Sequence, residues 1–207
     1  MDLCSASVAM YCQESKNWLR MSLSECSHDA SNYRGELLGA VLSLLILRAA
    51  SSYTPSSPTQ PLTTLYCDNC GVISHGNSSL VSLSEKQSHA DLIRLVKHLS
   101  ATNTSRSAWV WVEGHAVERK GWANCSLAER MNAHAERLAK DSLLHALAGG
   151  HIMHGDFPLE PVRLRVSGER VSCSPHQALE WAWGYNTACA LYAEKGIIRA
   201  EDFPLVW

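Results

Sequence analysis

Three acidic residues and one histidine stand at the ends or on the polar faces of segments that are otherwise apolar. Glu36 opens "ELLGAVLSLLILRAA", Asp68 follows "TTLYC", His115 follows "WVWVEG", and Glu136 lies within "LAERMNAHAERLAK". Asn132 precedes Glu136 by four residues, so the two share one face of a helix. Carboxylates drawn from three distant parts of a chain repel one another unless a cation stands between them. A hard divalent ion such as Mg²⁺ suits oxygen ligands and keeps waters for chemistry. Two such ions about 4 Å apart activate a water and stabilise the leaving oxygen of a phosphodiester. A histidine beside them can move a proton near the leaving group.

Each of these residues also has an ordinary structural duty open to it. An acid at a helix start, as Glu36 is, favours the helix dipole. Asp68 with Gly71 suits an Asx turn, although the apolar run before it favours the chemical reading. His115 after a glycine is a common loop histidine, and Glu136 is spaced to pair with Lys140. Cys67 and Cys70 form a single C-x-x-C without a second pair at zinc spacing; Cys125, His115 and His134 do not complete one. Strand alternation points Cys67 away from Asp68, and both cysteines are expected as buried free thiols. His151 and His154 suit a linker. Trp109, Trp111, Trp181 and Trp183 have the spacing of core residues, and Arg119-Lys120 that of a solvated loop or a phosphate contact.

The elements that must position these residues are legible in outline. Residues 3–12 and 17–25 alternate as two strands of an antiparallel hairpin turning near "QESK". Residues 33–50 form a helix that is greasy on most sides, and "SSYTPSSPTQP" breaks it as a loop. A strand then ends at Asp68, and residues 69–75 open a short helix. "SEKQSHADLIRLVKHLSAT" is an amphipathic helix with Ala90, Ile93, Leu95, Val96 and Leu99 inward and Arg94, Lys97 and His98 nearer the surface. "SAWVWV" is a strand, "AVERKGWANCS" a loop, and "LAERMNAHAERLAKDSLLHAL" a helix ended by Gly149-Gly150. A hairpin turning at Ser167-Gly168 and a helix from Pro175 complete the chain. The order β-β-α-β-α-β-α, then β-β-α, predicts an α/β fold with a mixed sheet and flanking helices.

Bulk composition bounds the possibilities. The chain has 207 residues, 46% apolar and 18% charged, enough for a real core. A net charge of −2 excludes bulk attraction to a polyanion, so a nucleic-acid partner needs a local basic face or bridging metal ions. Eight scattered cysteines with apolar neighbours suit reduced thiols, hence an intracellular setting, nuclear or cytoplasmic. No apolar run reaches the length of about 18 residues that suggests a membrane span, so no membrane partner is expected. The N-terminus lacks the basic region of a signal peptide.

In their order, these motifs resemble the ribonuclease H fold, of the type found in eukaryotic retroelement reverse transcriptases. "NYRGELLGAVLSLL" resembles that family's "xxRAELxAxxxAL" helix, and "LYCDNCGVI" its strand end "xxxDSxxxx". "VWVEGHAVERKGWANCSLAERMNAHAERLAK" resembles its "V.GH....GNE.AD.LA" segment. The resemblance spans residues 3–148 and implies Glu36, Asp68 and Glu136 as metal ligands with His115 as the mobile-loop histidine. It further implies hybrid contacts by Asn69, Arg119, Lys120 and Asn132. Two Mg²⁺ or Mn²⁺ ions would cleave the RNA strand of an RNA–DNA hybrid, recognised by its 2′-hydroxyls. The family begins with a strand bearing "DGS". This chain begins with what looks like the second strand, so a ribonuclease H-like fold lacking its first strand is expected at 1–148. A hairpin-plus-helix extension is expected at 149–207. Glu136 replaces the family's last aspartate with an arm one methylene longer. A piece of a retroelement polyprotein is the expected setting. The other readings are a catalytically inactive relic or nucleic-acid-binding module of the same fold and, more distantly, a zinc-binding module.

Overall fold

The computed structural model describes residues 2–13, 15–27, 29–53, 62–78, 87–103, 107–152, 165–166, 169–170, 180, 183–184 and 194. They form an α/β protein. The chain divides into two compact units, one of Met1–Ser82 with Leu92–Pro161, the other of Leu83–Asp91 with Val162–Trp207. No described helix is long and apolar enough to cross a membrane.

The first unit opens with the expected hairpin, β1 (Asp2–Tyr11) and β2 (Trp18–Ser27), paired antiparallel from Asp2↔Ser27 to Tyr11↔Trp18. Alternation sorts β1 cleanly. Cys4, Ala6 and Val8 are buried on one face. On the other face, Ser5 and Ser7 donate their hydroxyls to the Ala139 and Ala135 carbonyls of helix α5 (Leu127–Leu147). The alternation in β2 has a different outcome. Leu19 and Met21 are 45% and 43% exposed, so its apolar face is open along the first half of the strand.

Helix α1 (Asn32–Tyr53) starts where the Ser31 hydroxyl accepts the Arg34 amide. Leu37, Leu38, Val41 and Leu44 are fully buried along it, each worth about 1.5 to 3 kcal/mol relative to exposure. Gly35 lets it approach β1: a Cβ there would lie 2.5 Å from the Ser5 carbonyl oxygen. Strand β3 (Thr63–Cys67) comes next and pairs in parallel with β4 (Ser107–Trp111), Thr63 facing Ser107 and Cys67 facing Trp111. Helix α2 (Cys70–Asn77) lies between them in sequence, as does α3 (Ala90–Thr102), in which Leu92, Ile93, Leu95, Val96 and Leu99 are fully buried. Near the end of α3, the Asn103 amide donates to the Leu44 carbonyl of α1 at 3.1 Å.

Lys97 corrects the amphipathic reading of α3, because it is 6% exposed instead of facing solvent. The segment read as a loop after β4 contains α4 (Ala116–Lys120) and a 3₁₀ turn at Trp122–Asn124. Five residues are too few to show a helical period. Helix α5 carries a full capping box: the Ser126 hydroxyl accepts the Glu129 amide at 3.2 Å, and the Glu129 carboxylate accepts the Ser126 amide at 2.7 Å. It ends into Gly149 at φ 86°, a left-handed position that glycine takes without strain.

Among the described residues, β1 pairs with β2 and β3 with β4, but β1 does not pair with β3. The second unit contains β5 (Arg165–Val166) and β6 (Glu169–Arg170), antiparallel as expected for a hairpin turning at 167–168. Glu180, Trp183, Gly184 and Glu194 are helical; the rest of the helix expected from Pro175, and the expected boundary loop after residue 152, lie outside the described residues.

Candidate active site

Asp68 sits immediately after the last residue of β3, where alternation ceases to apply. Its neighbour Asn69 takes the capping duty: the Asn69 side-chain oxygen accepts the Gly71 and Val72 amides at 2.9 and 3.3 Å and starts α2. The Asx-turn reading of Asp68 is thereby replaced, and its carboxylate is left for other work. The Asp68 carbonyl accepts the Trp111 indole N–H at 3.2 Å. Gly114 makes room for the side chain, since a Cβ there would stand 2.5 Å from Asp68 Oδ2.

Glu36 lies beyond the first turn of α1, which holds no acid, so the helix dipole does not account for it. Its carboxylate accepts the Cys67 thiol at 3.8 Å. Donor atoms of Glu36, Cys67 and Asp68 all lie within 4.8 Å of one another. Cys67 therefore faces the same space as Asp68, against the expectation from alternation, because Asp68 lies past the strand. Burial, then the charges of Asp68 and Glu136, push the Glu36 carboxyl from 4.5 up to about 7. Burial likewise pushes the Cys67 thiol up to about 12.

Glu136 joins the cluster through an amide. Asn132 Nδ2 donates to Glu136 Oε1 at 2.9 Å and reaches Asp68 Oδ2 at 3.4 Å. The same Glu136 oxygen accepts the His115 backbone amide at 3.2 Å, and its other oxygen lies 3.3 Å from His115 Nδ1. His115 holds a left-handed backbone, φ 53°, at the start of α4, and its side chain is 57% exposed. The pairing of Glu136 with Lys140 is replaced by this link to His115. The structure thus brings Glu36, Asp68, Asn132, Glu136 and His115 to one place.

Arg119 and Lys120 close α4 and pair with acids other than Glu36, Asp68 and Glu136. Arg119 donates to the Gly114 carbonyl and lies 2.8 Å from Glu113, while Lys120 bridges Glu113 and Glu129. Their charge is already matched by acids. Cys70 is exposed instead of buried, and Trp111 is 55% exposed instead of core, whereas Trp109 is buried. Trp183 is also exposed. All six described cysteines are free thiols.

Sequence reasoning missed Cys67 at the site and Arg34 in the fold. Alternation sets Cys67 aside, although its position next to Asp68 signals proximity. Arg34 escaped notice, although an arginine next to the greasy run of α1 calls for a partner if it is buried. Its guanidinium, fully buried, pairs with Glu25 at 2.7 and 3.0 Å and lies 3.7 Å from Asp29.

No protein-family model matches the chain, and no curated protein matches it.

Proposed function

We propose that the first unit is a ribonuclease H-like domain that hydrolyses the RNA strand of RNA–DNA hybrids with Mg²⁺ or Mn²⁺, as part of a larger retroelement polyprotein. The observation that carries this reading is three carboxylates from separate segments brought near one another: Glu36 lies beside Asp68, Asn132 bridges Asp68 and Glu136, and among the described residues no lysine or arginine forms an ion pair with any of the three. The element order and the α1–strand–α5 layering agree with it.

The donor chemistry fits a hard cation. Glu36 and Asp68 offer oxygens within 4.8 Å of one another, the donor type that a hard cation takes, with the Cys67 thiol beside them. Glu36 and Asp68 would hold the ion, with Glu136 at its rim. When bound, the ion supplies an activated water and charge stabilisation at the scissile phosphate. Asn132 orients Asp68 and Glu136 by bridging them. Glu136 fixes His115 through Nδ1 and the backbone amide, which leaves Nε2 of an exposed ring to give a proton to the leaving oxygen. On a different face of α5 from Asn132 and Glu136, Trp122 and Trp18 pack edge-on against His134 with centroids 5.2 and 5.7 Å away, and Arg20 lies over Trp18. These exposed rings suit stacking on bases or sugars of the hybrid.

The test is cleavage of a labelled RNA–DNA hybrid with Mg²⁺ or Mn²⁺. The expected result is RNA-strand cleavage that Asp68→Asn abolishes. Hybrid binding without cleavage, at any metal concentration, would instead establish the inactive binding module, a reading favoured by the engagement of both Glu136 oxygens with His115.

A further inference from the structure

Two buried thiols of the first unit each lean on a carboxylate, and their settings differ in one respect. Cys4 Sγ donates to Glu25 at 3.9 Å, and Cys67 Sγ donates to Glu36 at 3.8 Å. At Glu25 the chain supplies the cation itself, the Arg34 guanidinium at 2.7 Å. At Glu36 the neighbouring charges are those of Asp68 and Glu136, both acids, and among the described residues no lysine or arginine pairs with it. Cys67 is 8% exposed and ends β3, where its carbonyl accepts the Val112 amide at 3.0 Å. The backbone that carries the sulfur is therefore fixed beside the acids.

The donor set has the dimensions of a small ion's shell. Oxygens of Glu36 and Asp68 and the sulfur of Cys67 all lie within 4.8 Å of one another. In a tetrahedral zinc site, with Zn–S about 2.3 Å and Zn–O about 2.1 Å, sulfur and oxygen stand roughly 3.6 Å apart. The separation of Cys67 Sγ and Glu36 Oε2, 3.8 Å, is close to that. A supporting contact comes from outside the donor set: the Asn69 backbone N–H points at Cys67 Sγ at 3.4 Å. A neutral thiol is a weak acceptor, whereas a sulfur that carries charge on a metal is steadied by such a donor. Three protein ligands with a further position left to water are the make-up of an open zinc site. Mg²⁺ prefers oxygen alone, whereas Zn²⁺ takes a thiolate.

We propose that Cys67 is a third protein ligand at this site, and that with Glu36 and Asp68 it makes the site bind Zn²⁺ in preference to Mg²⁺. On binding, the S–H bond breaks, a S–Zn bond forms, and the proton goes to water. Cys70 is exposed and lies outside the donor set, so this is not the paired-cysteine module that a C-x-x-C suggests. The assignment rests on reading Glu36 and Asp68 as metal ligands and deepens it: Zn²⁺ held through Cys67 occupies the acids that hydrolysis needs, so zinc inhibits cleavage.

Co²⁺ is the probe, because it replaces Zn²⁺ and absorbs strongly in the near ultraviolet when bound to a thiolate but not when bound to oxygen alone. The metal-free full chain is titrated with Co²⁺ and no nucleic acid. The expected result is a sulfur-to-cobalt band that Zn²⁺ bleaches at equivalence and that survives about a hundredfold excess of Mg²⁺. Cys67→Ser should lose the band and weaken Zn²⁺ binding by at least about a hundredfold, while Mg²⁺ binding, read by calorimetry, changes by less than about threefold. Cys70→Ser should keep the band. Should Cys67→Ser fail to fold, Asp68→Asn retains the thiol and should weaken Co²⁺ binding by a similar factor; unchanged affinity there would overturn the proposal. Cobalt bound without the band, a band that Cys67→Ser retains, or bleaching by Mg²⁺ as readily as by Zn²⁺ would also overturn it. A band without hybrid cleavage would remove the nuclease and leave the thiolate ligand standing; cleavage without a band would do the reverse.

Discussion

Two acidic clusters flank the start of α1, and they are built on opposite terms. Glu25 and Asp29 surround Arg34, a guanidinium fully buried and bound at 2.7 and 3.0 Å by Glu25. Two residues further along the same helix, Glu36 meets Asp68 and Cys67 with no described lysine or arginine paired to either acid. The first cluster is complete as folded. The second places repelling charges together and leaves the Glu36 carboxyl at about 7. Charge matched from within holds a fold. Charge left unmatched in a half-buried place is what the proposed metal site rests on.

Arg34 is where the two clusters should part most clearly. Arg34→Met leaves Glu25 buried without its partner, and the expected loss is about 3 to 5 kcal/mol, read as a lower urea midpoint. Asp68→Asn acts the other way: it keeps the fold, lowers hybrid cleavage by at least about a hundredfold, and raises Tm at neutral pH by relieving Glu36.

Glu36→Gln tests the second cluster through pH. In the folded chain the Glu36 carboxyl sits at about 7 instead of 4.5, so between those values folding takes up a proton. The penalty from this one group is absent below pH 4.5, grows as pH rises to 7, and is complete above it. Glutamine mimics the protonated acid. Its advantage should be absent at low pH and grow to the order of 3 kcal/mol above pH 7. Mg²⁺ should narrow that gap by stabilising the wild type alone. Least of all should come from Lys120→Ala on the exposed rim: a Tm change too small to resolve, although Lys120 bridges Glu113 and Glu129.

Long periodic segments were the legible part of the fold. The greasy run of α1, the 21-residue α5 and the alternation of β1 declare themselves because many residues repeat one pattern. "SLAE" at the start of α5 also contained its capping box, a signal that spacing alone would reveal. What stayed hidden depends on single positions. Alternation predicts side-chain direction only while the strand lasts, so it misplaced Cys67 relative to Asp68. Helix α4 is too short to be periodic. Lys97 shares the polar register of α3 yet is buried, and no local pattern tells a solvated lysine from a covered one. The acids that the fold brings near one another, Glu36, Asp68 and Glu136, were named from motif order. Nothing local distinguished Glu136 bound to His115 from Glu136 paired with Lys140.

Trp111 has a use of its own. Its indole N–H is bonded to the main-chain oxygen of Asp68, and half of its ring meets water. An indole so placed senses both solvent and the electric field of the adjoining acids. Divalent ions titrated into the chain should therefore shift its fluorescence without any label. The part of the signal missing from Trp111→Phe would give the occupancy of the acidic pocket directly, even in a chain that never cuts a substrate.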